Sequence, residues 1–153
     1  MEHLIGVDIG TTQVKGALLS ASGNILAAYT IRHQPVSLGD GHVEQDAEEF
    51  WWGGFLRVVN CLLKKADIDS SQIAGIAVSG FFPNLCPVNG LGKPLRPAIL
   101  YSDNRASDEV DNLNEDFGLQ ETTEEVLPKL LWLKHHEPEV FEQTHMIFNP
   151  SNY

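Results

Sequence analysis

The sequence predicts a mixed α/β layer fold. Three observations carry it: strand-like stretches in close succession at the N-terminus, an amphipathic helix pattern after them, and a further apolar strand behind that helix. Short strands parted by turn residues read as an antiparallel meander. A strand that returns after a helix can close a right-handed parallel crossover. The chain has 153 residues, 42% of them hydrophobic, enough for one domain with a sizeable core.

The strand signals cover residues 3–9, 13–19 and 24–31, and the first two are apolar enough to be central. Residues 34–45, with Pro35, Gly39 and Gly41, read as a polar loop. Asp46 opens a helix, with Glu49 three residues on as in a capping box. Ala47, Trp51, Phe55, Val58, Leu62 and Ala66 then recur at three- and four-residue steps and make one apolar face. Trp51 falls on that face, whereas Trp52 falls off it. Residues 72–80 are the returning strand. Residues 84–88 and 99–102 read as short strands joined through the turn at 89–93. Helix patterns cover 105–116 and 123–137, with Thr122 and Glu125 as a second capping box and Pro128 marking a kink or the true start. Pro138 opens a short helix, and residues 146–148 are strand-like. Strand meander, helix, strand and helix in this order match the ribonuclease H-like, actin-type ATPase core, a mixed sheet flanked by helices.

The first hairpin turn carries the chemistry. Asp8 ends a buried strand, and Gly10, Thr11, Thr12 and Gln13 form the turn before Lys15. A glycine lets a ligand oxygen approach the backbone, and hydroxyls and turn amides can donate to an anion. Asp8 repels phosphate unless a hydrated Mg²⁺ lies between them. The competing reading is an ordinary hairpin turn with Lys15 solvated. Neither a Walker loop nor a dinucleotide glycine motif is present.

Net charge is −11, from 21 acids against 10 Lys and Arg. That argues against a nucleic-acid partner, which needs a cationic footprint, but not against a small phosphorylated ligand. Cys61 and Cys86 lack ligand spacing, and Cys61 reads as a buried free thiol. No signal-peptide pattern and no long apolar run are found, so the chain reads as cytoplasmic with no membrane partner.

Five pieces then carry a resemblance. They are Asp8-Ile9-Gly10-Thr11-Thr12 with Lys15; Gly41-His42-Val43-Glu44-Gln45-Asp46 leading into Phe50-Trp51; the strand ending at Gly80; Gly92-Lys93-Pro94-Leu95-Arg96-Pro97 through Tyr101 with Asp103 and Arg105; and Pro128-Lys129-Leu130-Leu131-Trp132-Leu133-Lys134 with Pro138. Together they resemble the N-terminal part of the FGGY carbohydrate kinases, the group of xylulose, gluconate and glycerol kinases. The resemblance implies a first domain that binds sugar and the phosphate end of ATP, and a second that supplies the adenosine pocket and the carboxylate that takes the hydroxyl proton. It implies ATP and Mg²⁺ as cofactors, a sugar or polyol substrate, and a C-terminal kinase domain as partner. It puts Asp8 on Mg²⁺ through water, and Gly10, Thr11, Thr12, Gln13 and Lys15 at the phosphate. Phe82, Pro83, Asn84, Asp103 and Arg105 fall on the substrate side, and no catalytic residue falls within this chain.

Two departures from the family pattern stand out. Where xylulose kinases carry Gln-Met-His and glycerol kinases Arg-Glu, this chain has Phe81, Phe82 and Pro83, so polar sugar readers are missing. Family members are also several times longer, so the chain by itself is expected to phosphorylate nothing, and its uncovered interface invites self-association into a homodimer. The rival readings are a non-catalytic actin-like module that senses sugar or regulates, and a chaperone- or phosphatase-type ATPase relative. For Asp103 and Arg105 the plain alternative is a helix cap and a surface cation. Glu44 reads as a loop acid, Trp132 as core, and His135 and His136 as a helix-end pair that favours the dipole.

Overall fold

In chain order the elements are β1 (His3–Ile9), β2 (Gln13–Ser20), β3 (Ile25–Arg32), β4 (Val36–Gly39), β5 (His42–Gln45), a π-helical segment (Ala47–Trp52) running into α1 (Gly53–Ala66), a 3-10 turn (Ser70–Gln72), β6 (Ile73–Gly80), β7 (Cys86–Val88), β8 (Ala98–Ile99), α2 (Ser107–Phe117), α3 (Val126–His136), α4 (Pro138–Gln143) and β9 (Met146–Phe148). The computed structural model describes residues 2–153. They divide into two units. One takes the chain up to Gln34 with Glu48–Phe81 and Tyr153, and the other takes Pro35–Ala47 and Phe82–Asn152.

In the first unit, four strands form one sheet in the order β3-β2-β1-β6. β1 and β2 pair antiparallel, and β6 returns parallel to β1, as the crossover predicts. Ile5, Val7, Ile9, Val14 and Leu18 are buried on one face, where α1 brings Val58 and Leu62. Helix and sheet approach closely because two glycines permit it. A Cβ on Gly16 would come within 2.4 Å of Val58 Cγ1, and one on Gly54 within 2.8 Å of Val14 Cγ2. The opposite face carries Leu4, Asp8 and Lys15 in the open.

In the second unit, β4, β5 and β8 form a three-stranded sheet, and β7 pairs with β9. Its core is Leu85, Ile99 and Leu133, with Leu130, Phe141 and Ile147 packed against them.

Several expectations change. Residues 34–45 are not a loop but the β4–β5 hairpin, turned by Asp40 and Gly41 at positive φ. Every residue of β4 is exposed, so no apolar alternation marks it in the sequence. The helix that Asp46 announces opens with π-helical turns before α1. Residues 84–88 and 99–102 do not make one hairpin: β7 pairs with β9 and β8 with β5, and only Leu85 and Ile99 bridge directly. The last long helix starts at Val126, which places Pro128 in its first turn, where a missing N–H is harmless. The Thr122/Glu125 capping box does not form, since the residue before that helix makes no side-chain cap bond. Among the described residues, no helix is long and apolar enough to cross a membrane.

Candidate phosphate turn and the buried charge cluster

The register of β1 and β2 sets Asp8 directly opposite Lys15. Gly10 N–H donates to the Gln13 carbonyl at 2.9 Å and closes the turn. A Cβ on Gly10 would sit 3.0 Å from that same oxygen, so this corner needs a glycine. On the other flank of β1, Asp8 is matched with Ser79 of β6, whose hydroxyl donates to Asp8 Oδ1 at 2.8 Å. Asp8, Lys15, Thr30 and Ser79 line an open trough on the exposed face of the sheet. An exposed carboxylate fixed on one oxygen, beside a lysine ammonium, can take a hydrated cation and a counter-anion together. Thr12, Gln13, Arg32, His33 and Gln34 line a second, polar depression beside the turn. Residues 8, 10–13 and 15 thus come together in one unit, as the sequence predicts. Ser79, Arg32 and His33 are additions. Strand pairing brings them in, and only Ser79, at the polar end of an apolar strand, gives a signal in the sequence.

The residues of the second unit that the resemblance puts on the substrate side behave differently. Asp103 is fully buried, and it accepts from the Val43 amide and from Arg105 N–H and Nε–H at 2.9 and 2.8 Å. An Arg105 NH2 group also donates to Asp103 Oδ2 and to Glu44 Oε1, each at 2.8 Å. Glu44 pairs with Arg96 as well, and Arg96 with Glu137. The Arg105 guanidinium lies 4.8 Å from the centroid of Trp132, with His136 stacked on that ring at 4.8 Å. Burial alone would raise the Asp103 carboxyl, but the bonds from Arg105 and the Val43 amide outweigh it and hold the carboxyl below its ordinary value. The Arg105 side chain is only 2% exposed. It is therefore neither the surface cation of the plain alternative nor an open fork, and Asp103 makes no cap on α2. Glu44 is not a loop acid: it sits on β5 and clamps two arginines. Trp132 packs against the core cluster as expected, is half-buried, and also takes the Arg96 and Arg105 guanidinium groups on its ring. His135 and His136 end α3 as expected and approach the buried Glu109 at 3.4 and 3.8 Å. Asn84 is also buried, with its Oδ1 accepting from the Tyr101 amide at 3.0 Å. Phe82 is 70% exposed. Sequence reasoning missed Lys129, a fully buried lysine whose ammonium donates to the Glu124 carbonyl at 2.8 Å. Burial pushes its pKa down to about 8 against the pull of Asp103. Cys61 and Cys86 are both free; Cys86 is buried, while Cys61 is only partly so.

Residues 3–153 match the FGGY family of carbohydrate kinases, N-terminal domain. The chain belongs to this family. It is 32% identical to a xylulose kinase of Staphylococcus xylosus, an alignment that takes in 100% of this chain and 33% of that protein. Among solved structures, a xylulose kinase from Rhodospirillum rubrum superposes with a TM-score of 0.87 at 29% identity, over 97% of this chain and 32% of that one. A gluconate kinase from Lactobacillus acidophilus gives 0.86 at 26% identity, over 97% and 31%. These neighbours share the mixed sheet with flanking helices, so the actin-like ATPase fold read from the sequence is the fold of this FGGY chain. The chain spans about a third of the length of the relatives it matches.

Proposed function

We propose that this FGGY chain supplies the phosphate turn and part of the sugar side of an ATP-dependent sugar kinase in the cytoplasm, completed by a C-terminal domain. The observation that carries the reading is the closed β1–β2 turn with Asp8 set between Lys15 and Ser79. The donor set suits Mg²⁺, which keeps several waters and takes one or two carboxylates. Among the described residues no group of three or more His, Cys, Asp or Glu gathers as a metal site. A magnesium ion here would therefore rest on Asp8, waters and phosphate oxygens, and it would neutralise charge on the transferring phosphoryl group. The Ser79 hydroxyl donates to one Asp8 oxygen and leaves the other free for a hydrated cation. Lys15 adds positive charge where phosphate charge gathers, and Gly10 keeps the backbone corner tight. Phosphoryl transfer depends mostly on such positioning and charge compensation.

On the sugar side, Asp103, Arg105 and Glu44 act as an internal brace that shapes the segment 101–105, and the exposed Phe82 offers an apolar surface beside Pro83. A ketopentose is the first substrate to test, since the xylulose kinases are among the relatives. The experiment assays the full-length protein with Mg·ATP against pentuloses, hexuloses, polyols and aldonates. Sugar-dependent ADP release that drops about a hundredfold or more in Asp8→Asn, with the fold intact, is the expected result. Normal turnover in Asp8→Asn removes the assignment. Sugar binding without turnover would favour a sensing module, the reading that the missing polar sugar readers at Phe82 and Pro83 support.

A further inference from the structure

His33 follows directly after β3, and it reaches the turn twice. Its backbone N–H donates to the Thr12 carbonyl at 2.9 Å. Its Nε2 lies 3.0 Å from the Gly10 carbonyl oxygen. A carbonyl oxygen only accepts, so Nε2 carries the proton of that bond. Nδ1 is buried without a hydrogen-bond partner. The ring packs on Phe50, with centroids 5.1 Å apart at 43°. Burial is the largest influence on the ring and lowers its pKa, the bond to the Gly10 carbonyl and the pull of the Thr11 carbonyl oppose it, and Arg57 adds to the lowering. The ring therefore stays neutral near pH 7, with its one proton on Nε2.

Two of the turn's carbonyl groups are thus tied by one residue from a third strand. The consequence is electrostatic. A carbonyl oxygen facing a phosphate repels it, while turn amides and hydroxyls attract it. A carbonyl bonded to a fixed donor does not rotate towards an incoming anion. We propose that His33 is the positioning residue of the phosphate turn, holding the Gly10 and Thr12 carbonyls back so that the turn presents its donors to a nucleotide phosphate. The inference rests on the reading of this turn as the phosphate site.

The test uses the ¹⁵N-labelled full-length protein in three forms: unchanged, His33→Phe and His33→Gln. The Phe variant keeps a ring against Phe50 and lacks the donor. The Gln variant restores an N–H near the Nε2 position. Ring ¹⁵N shifts of the unchanged chain are expected to show the Nε2–H tautomer, a readout that needs no variant. Amide exchange at Gly10 is expected to speed up about tenfold in His33→Phe and to return towards the original rate in His33→Gln, the size of one net hydrogen bond. Mg·ADP-induced shifts at residues 10–13 are expected to weaken in the same order. An Nδ1–H tautomer, unaltered Gly10 exchange in His33→Phe, or no recovery in His33→Gln overturns the proposal. If exchange follows His33 but Mg·ADP shifts nothing at the turn of the unchanged chain, the phosphate reading falls, and with it the functional half of this inference. The carbonyl lock then stands as backbone support alone.

Discussion

Asp8 and Asp103 lie near the ends of short β segments, each with a cation close behind in the sequence, yet the two acids have opposite fates. Asp8 stays exposed, and one of its oxygens is held by Ser79. Asp103 is fully buried, and both of its oxygens are engaged by Arg105 and by backbone amides. Register explains the difference. Lys15 lies across the hairpin from Asp8, on a sheet face left open to solvent. Arg105 is two residues from Asp103 and folds back over the same carboxylate beneath Trp132. Residue type and spacing find the charged groups. Saturation by partners within the fold decides which of them remain for a ligand.

The sharpest way to break this comparison is Arg105→Ala. It leaves Asp103 and Glu44 facing each other without their shared cation, and an uncompensated buried charge costs about 3–5 kcal/mol. Urea denaturation should show that loss, while Asp8→Asn should change stability by no more than about 0.5 kcal/mol. Arg105→Ala with native stability and impaired sugar affinity would instead make Arg105 an open substrate contact.

Lys129 tests the buried side through pH. Its folded pKa is lowered from 10.5 to about 8. Between those values the unfolded chain binds more protons than the folded one, so this group makes stability rise with pH over that window. Urea midpoints from pH 7.5 to 10 should show a rise in the unchanged chain that is missing in Lys129→Met. Equal slopes would mean that the ammonium reaches water and is not sealed.

The smallest effect belongs to the turn. His33 has a folded pKa below 6.5. Protonation therefore favours the unfolded state, and stability falls as pH drops through the window just below 6.5. An NMR titration should place the ring's midpoint below 6.5, and His33→Phe should remove this part of the acid sensitivity. A midpoint at or above 6.5 would show that the ring is solvated and not locked against Gly10.

Much of the first unit was legible because its signals are local. Two apolar strands about a glycine turn, and an amphipathic stretch with Val58 and Leu62 on one face, fix β1, β2 and α1. The β4–β5 hairpin was not legible, since β5 is held by pairing with β8 from far along the chain and β4 is exposed throughout. The same limit applies to the site. Asp8, Gly10 and Lys15 are adjacent in sequence and could be read together. Ser79 and His33 arrive through register with β6 and through the end of β3, which no spacing records. Burial of Arg105 and Lys129 depends on Trp132, Glu44 and the Glu124 carbonyl, all set by tertiary packing.

The most direct test of the central claim is paramagnetic broadening by Mn·ADP in the ¹⁵N-labelled chain, because broadening registers even weak occupancy. The account predicts that the amides of Asp8 and residues 10–13 broaden, and that Asp8→Asn abolishes the effect. Broadening centred on the Asp103/Arg105 cluster, or broadening at the turn that survives Asp8→Asn, would contradict it.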